Sequence, residues 1–405
     1  MNVYKRKTDI LKLIKSLDIT PSMHMNAVDK YKSVARYLQS HGIYCDIYPQ
    51  GSFATGTAVR PIGRDNYDLD TVCELSVDKM DTSAKETKLS VGDVLLESER
   101  YKHAVEYDIC WTLEYADINN YGFSLDIVPA VEEDANTKLS LIKKSFENKD
   151  LVSKSIAITK KTDETYRWAT NNPKGYVEWF NRINEPFRDY NRAERRSIIF
   201  EQNKAIFESV DDIPETVERS SLQIAIQILK RHRDVYFSHK MDGKELRPIS
   251  VIITTLATSI AENAPSYFDP FQLLEFITSE LKVYAELGNV EQIRFTQKYS
   301  QRNLISRPKG KWSLINPVNP EDNLLDSWNE NTDKATAFFK WLTTVINDFK
   351  VLSDENDEKF LAVVENAFGY DFVKRSTFFD GYKKNQHYST NISIKPSKPW
   401  GKENG

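Results

Sequence analysis

Residues 51–70 read GSFATGTAVRPIGRDNYDLD. They follow IYCDIYPQ (43–50), whose alternation of apolar and polar residues predicts a strand, so Gly51-Ser52 falls where a strand gives way to a turn. Glycine lets a backbone approach a ligand closely, and free N–H groups beside a serine hydroxyl can cradle phosphate oxygens. The stretch closes on Asp68-Leu69-Asp70. On a strand, alternate residues share a face, which points both aspartates one way and Leu69 into a core. Two carboxylates that close repel each other unless a cation lies between them. Oxygen-only ligands of this kind suit Mg²⁺, which keeps several waters and is completed by substrate phosphates. Gly51 and Ser52 are therefore candidate phosphate contacts, Asp68 and Asp70 candidate metal ligands, and a nucleoside triphosphate is the substrate class they suit together.

Such a site needs a third carboxylate, and FSLDIVPA (123–130) offers one. Its alternation predicts a strand with Leu125 and Ile127 facing a core and Ser124, Asp126 and Val128 facing away. Asp126 is then the third candidate ligand, beside the first pair. Asp-x-Asp alone occurs on many solvated surfaces. The ordered set of strand, Gly-Ser, Asp-x-Asp and strand-borne Asp is far more selective, and it points to metal-dependent phosphoryl chemistry.

Composition bounds the partners. The 405 residues allow two lobes with substantial cores, and 55 Lys plus Arg against 59 Asp plus Glu give a net charge of −4. No global basic field argues for long nucleic acid, so free nucleotides are the expected substrates. Cys45, Cys73 and Cys110 are scattered in apolar contexts, which predicts buried thiols in a reducing cytosol and no disulfide framework. The histidines and cysteines show no zinc spacing. No segment has the length and apolarity of a membrane span, and MNVYKRKTD lacks a signal-peptide core, so the expectation is a soluble, cytoplasmic protein.

Gly-Ser, DLD and LDIVPA, in that order, resemble the polymerase-β-type nucleotidyltransferases. Within them the chain resembles the cGAS/DncV-like nucleotidyltransferases, the bacterial CD-NTases of anti-phage signalling. The similar stretches continue through YPQGSFATGTAVRP (48–61), NNPKGYVEWF (171–180), LQIAIQILKRHRD (222–234) and INPVNPEDNLLDSW (315–328), so the resemblance covers about residues 20 to 345. It implies an α+β fold: a polymerase-β-like lobe with a mixed sheet, a helical C-terminal lobe like that of 2′-5′-oligoadenylate synthetases, and a cleft between them. It further implies that Asp68, Asp70 and Asp126 bind two Mg²⁺ ions, with Mn²⁺ as an alternative, and carry catalysis. By the same resemblance, Gly51 and Ser52 hold the donor phosphates together with Lys230 and Ser250. ATP and other NTPs would be condensed into a cyclic di- or trinucleotide second messenger, with release of pyrophosphate, in a CBASS-type defence system. The carboxylates by themselves are equally compatible with a linear oligonucleotide synthetase, or with a transferase that nucleotidylates a protein or small molecule. A catalytically dead sensor on this fold would have lost Ser52 or an aspartate, and all four are present. Some family members have their C-terminal residue joined to other molecules by an accessory CBASS protein, which nominates Gly405.

Periodicity supplies the remaining elements. Residues 5–17 read as an amphipathic helix on Ile10, Leu13, Ile14 and Leu17, and Pro21 opens a second that Gly42 stops. A helix is expected over 91–105, strands over 107–115, 123–131 and 155–161, and an aromatic-anchored loop over 168–180. A helix over 216–236 ends in Lys230-Arg231-His232-Arg233, which also reads as solvated charge complementing the helix dipole. The apolar run from Ser250 reads as strand or buried helix by periodicity, and the resemblance implies helix; further helices are expected over 265–287, 322–329 and 333–350, with NPVNP (316–320) irregular because of its prolines. The organisation that follows is a catalytic half over 1–190 including the N-terminal helices, a helical half over 191–382, and a polar, flexible tail over 383–405.

Overall fold

The computed structural model describes residues 3–18, 21–60, 62, 67–118, 121–202, 219–353 and 356–382. The tail and Gly405 lie outside the described residues. Helix α1 (Val3–Lys15) buries Ile10, Leu13 and Ile14 on one stripe, continued by Leu17. That stripe packs in the helical core and not on the sheet. Arg6 ties the helix to the far end of the chain, donating to Asp357 Oδ1 at 2.6 Å and to the carbonyls of Val351 and Leu352. The first helix, expected in the catalytic half, therefore belongs by packing to the helical half. An apolar stripe states that it will be buried but not against what.

Helix α2 (Pro21–Ser40) turns Ala27, Val34 and Leu38 onto the sheet. It stops at Gly42, whose φ of +83° lets Ile43 N–H return to the Leu38 carbonyl at 3.0 Å. Strand β1 (Cys45–Pro49), the short turn α3 (Gly51–Ala54) and β2 (Tyr67–Leu75) follow. Helix α4 spans Ala84–Glu97, earlier than the expected 91–105, because Ser83 and Glu86 form a capping box that fixes its start. After it come β3 (Val105–Glu106), β4 (Trp111–Ile118) and β5 (Tyr121–Glu132). Helices α5 (Ala135–Lys144) and α6 (Lys149–Val152) then lead to β6 (Ile156–Thr162) and β7 (Thr165–Asn171).

The seven strands form one mixed sheet in the order β1-β2-β5-β4-β3, with β6 pairing β5 and β7 pairing β6. Only β2 and β5 run parallel, and their register sets Asp70 beside Asp126 and Asp68 beside Ser124. One face is the core, where Leu69, Leu125 and Ile127 meet α2 and α4. Burying each such side chain contributes roughly 1.5–3 kcal/mol. The opposite face carries the aspartates, and its deeper part is covered in turn. Val128 is 2% exposed there, packed with Val72, Cys110 and Ile158.

The expected loop over 168–180 is instead the end of β7 and the start of a long helix, α7 (Pro173–Gln202), so the boundary expected after residue 190 falls inside a continuous helix. Asn172, 1% exposed, makes this junction. Its Oδ1 accepts from Gly175 N–H at 3.0 Å, and its Nδ2 donates to the carbonyls of Leu151 and Val318 at 2.9 Å each. Helices α8 (Ser221–Ser238), α9 (Gly243–Leu246), α10 (Ser250–Ala261), α11 (Pro270–Val283) and α12 (Gln292–Lys298) build the helical half. NPVNP is not irregular: β8 (Ile315–Asn316) and β9 (Asn319–Asn323) pair as a hairpin with the prolines clear of the ladder contacts that need an N–H. Asn319 Nδ2 donates across to the Thr170 carbonyl at 3.2 Å, so hairpin and Asn172 clamp the two halves together. Helices α13 (Asp326–Glu330), α14 (Asp333–Lys350), α15 (Asp357–Phe368) and α16 (Tyr370–Lys374) complete the helical core. Asn172→Ala is expected to cost about 2–4 kcal/mol, because it removes a helix cap and strands two buried carbonyls. An unchanged urea midpoint would contradict this account of the clamp.

Candidate active site

Gly51 begins α3 with φ +62°, and a Cβ built on it would lie 2.9 Å from Asp70 Oδ2. The turn is held against β2 by the Gln50 N–H, which donates to the Asp70 carbonyl at 2.9 Å. It is closed behind Ser52 by the Thr57 N–H, which donates to the Ser52 carbonyl at 2.9 Å. Only a residue without a side chain brings the turn this close to the carboxylate.

The three aspartates differ in their surroundings. Asp68 is exposed and accepts a hydrogen bond from Ser124 Oγ on the adjacent strand. Asp126 accepts from Thr112 Oγ1 at 2.6 Å, and burial holds its carboxyl above the ordinary range. Asp70 sits between them. Burial, then the charges of Asp126 and Asp68, push its carboxyl up to about 7, against the opposing pull of Lys230. Three carboxylates in which the central one resists ionisation form a group short of positive charge, and their donor set is oxygen only. That combination fits a hard divalent cation such as Mg²⁺. Among the described residues no three carboxylate, thiolate or imidazole groups are placed so that together they hold a metal ion. The oxygens of Asp68 and Asp126 turned to Ser124 and Thr112 show how the face compensates.

Opposite this face stands α8. Lys230, 2% exposed, donates from Nζ to Thr57 Oγ1 at 2.9 Å. Burial, then Arg233, lower its ammonium to about 7, while Asp234 and Asp70 oppose the shift. Ser250 opens α10, and its Oγ accepts from Arg233 Nη1 at 3.0 Å. A cavity of about 950 Å³ runs between the halves, and Gly51, Ser52, Asp68, Asp70, Lys230 and Ser250 all lie in its wall. Asp126 stands behind them as the lateral neighbour of Asp70.

The basic run on α8 is not a solvated helix end. Arg231 donates to the Phe368 carbonyl at 2.9 Å, and His232 bonds Asp348 through Nε2 at 3.0 Å while accepting from Trp341 Nε1 on Nδ1. Lys230, Arg233, Asp234 and Phe237 share the face toward the cavity. Sequence reasoning missed Arg233 and Asp234, although their spacing of three and four from Lys230 places them on its helical face. It also missed Thr57, Ser124 and Thr112, which no local pattern announces because two of them act across strand registers.

No protein-family model matches the chain. Over 364 residues, 88% of this chain and 81% of the relative, it is 28% identical to a c-di-GMP synthase of Roseivirga ehrenbergii. It is 24% identical over 376 residues, 89% of this chain and 80% of the relative, to the cyclic dinucleotide synthase CdnG of Bradyrhizobium diazoefficiens. The structure of that CD-NTase in complex with GTP covers 91% of this chain, with 97% of its own length matched, at a TM-score of 0.62 and 22% identity. The likeness extends through both halves and the cleft between them.

Proposed function

We propose that this chain, a cGAS/DncV-like nucleotidyltransferase, condenses two nucleoside triphosphates, GTP among them, into a cyclic dinucleotide with release of pyrophosphate. The observation that carries the reading is the β2–β5 register, which sets Asp70 beside Asp126 directly under Gly51 at the wall of a cavity large enough for nucleotides. Gly51 lets the turn close onto Asp70, Ser52 offers its hydroxyl to a phosphate oxygen, and Lys230 supplies countercharge from the facing helix. Asp68, Asp70 and Asp126 would hold Mg²⁺. When bound, the ion supplies charge neutralisation on the phosphates and activation of the acceptor ribose hydroxyl. Thr112 and Ser124 fix the orientation of two of the carboxylates, so that catalysis is largely positioning and charge stabilisation. We place the enzyme in the cytoplasm, in a defence system where an accessory protein acts on its C-terminus; no described helix is long and apolar enough to cross a membrane.

Incubation with labelled NTPs and Mg²⁺, followed by phosphatase and chromatography, tests the reading. The expected product resists phosphatase and disappears when GTP is left out. A product that phosphatase trims of terminal phosphates, leaving a linear phosphodiester core of changed mobility, would make the enzyme a linear oligonucleotide synthetase, and label retained on protein would make it a nucleotidylating transferase.

A further inference from the structure

A second cavity, of about 500 Å³, lies along the N-terminal half of α8, bounded by α1, α7 and α11. Its size is that of a ligand pocket. Its rim is three tyrosines, Tyr4, Tyr190 and Tyr267, which are 75%, 39% and 60% exposed. Lys7, Lys15 and Arg219 stand in the wall against two carboxylates, Asp18 and Asp269. Its inner wall includes Gln227, 1% exposed. Gln227 Nε2 donates to Asp18 Oδ1 at 2.5 Å and to the Ala58 carbonyl at 2.9 Å, while its Oε1 is buried with no hydrogen-bond donor.

These features describe a ligand. Two carboxylates suit a base with a donor edge, and guanine presents N–H donors at N1 and N2. Tyrosine rings are stacking surfaces for purines. Three cations, two of them already paired with Asp18 and Asp269, suit a weakly charged anion and not a triphosphate. A cyclic dinucleotide carries two phosphodiester charges and two bases. Resting on the synthesis reading above, we propose that this cavity binds the enzyme's own cyclic dinucleotide product and that its occupancy inhibits the enzyme.

The route to the active site is short. Arg219 donates from Nε to Asp18 Oδ1 at 3.2 Å, and its Nη1 lies 2.5 Å from where a Cβ on Gly56 would stand. Gln223 donates to the Thr55 carbonyl at 2.9 Å, and Arg60 to the Asp18 carbonyl at 2.9 Å. The segment 55–60 of the active-site wall, including the Thr57 that holds Lys230, is thus held at Ala58 and Arg60 by Gln227 and Asp18 of the second cavity, touched at Gly56 by Arg219 of that cavity, and held at Thr55 by Gln223, which stands one turn before Gln227 on α8. A ligand that takes Asp18 as its acceptor competes with Arg219 and Gln227 for that carboxylate and shifts the segment, which gives it different affinity for the two states, as inhibition requires.

Cyclic di-GMP is the probe, used with the full chain. Added to initial-rate assays it is expected to lower kcat about tenfold without raising the KM for GTP, within the span of allosteric couplings. Lys15→Glu and Tyr267→Ala, both at the rim and away from the catalytic residues, are expected to raise the half-inhibitory concentration about tenfold or more with uninhibited turnover unchanged. Calorimetry on Asp70→Asn protein reads binding independently of turnover, and there too Lys15→Glu is expected to weaken it. Inhibition competitive with GTP and unmoved by the rim variants overturns the proposal, as does tighter binding of GTP than of cyclic di-GMP in this cavity. A chain that makes no cyclic dinucleotide yet binds the probe in a Lys15-dependent way would instead overturn the synthesis reading and leave the site standing.

Discussion

Asp70→Asn is expected to lower kcat for nucleotidyl transfer by at least about 10³-fold, a loss of roughly 4 kcal/mol of transition-state stabilisation, while the fold stays intact. The substitution keeps side-chain volume and removes one oxygen of the proposed metal site and a charge. Its effect on stability should run opposite to its effect on rate. A carboxyl raised to about 7 by burial and flanking aspartates is one whose charge the fold penalises. Between pH 4 and 7 the folded state holds a proton that the unfolded state has lost, so this group subtracts stability progressively over that window and fully above it. Asparagine removes the penalty. In EDTA at pH 8 the variant is therefore expected to melt at or above the wild-type Tm. Added Mg²⁺ should then raise the Tm of wild type and leave the variant where it was. A variant with wild-type turnover, or one whose Tm follows Mg²⁺ as wild type does, would remove Asp70 from the metal site.

The placement of these aspartates was legible because strands obey a period of two and because Gly-Ser marks where one ends. Leu69, Leu125 and Ile127 declare the core face, and the carboxylates between them can only point the other way. What the alternation could not say is that this other face is itself covered further along, where Val72 and Val128 meet β6. Errors elsewhere share one cause. The first helix, α1, shows a clear apolar stripe, yet its partners lie some 350 residues away in sequence at Asp357 and Leu352. Asn172 looked like a turn residue because Asn-Pro usually is one, whereas here the proline opens α7 and the asparagine spends its amide on two remote carbonyls. Local chemistry was readable and the long-range pairing that gives it a role was not. The α4 boundary is a different kind of miss, since Ser83 and Glu86 at capping-box spacing were in plain view.

The cleft depends on a glycine for two separable reasons, and Gly51→Ala with Gly42→Ala as its control tells them apart. Both residues have positive φ, +62° and +83°, so alanine at either position costs about 1–2 kcal/mol of backbone strain. Only Gly51 has a neighbour: an alanine Cβ there would stand 2.9 Å from Asp70 Oδ2, whereas nothing lies within 4 Å at Gly42. The carboxylate cannot retreat easily, because Asp126 stands beside it in register and Asp68 is two residues along its own strand. Either the turn lifts away from β2, carrying Ser52 with it, or Asp70 rotates out of line with its partners. Each outcome misplaces reacting groups by a fraction of an ångström or more, and displacements near 1 Å cost about 10²-fold in rate. Gly42→Ala is expected to lower Tm and keep kcat; Gly51→Ala is expected to lower Tm by a similar amount and kcat by about 10²-fold, measured well below both melting temperatures. Equal turnover in the two variants would mean that the close approach of the turn to Asp70 has no part in catalysis. Gly51 would then be present only for its backbone, and the phosphate-binding role would have to move to other residues of the cavity.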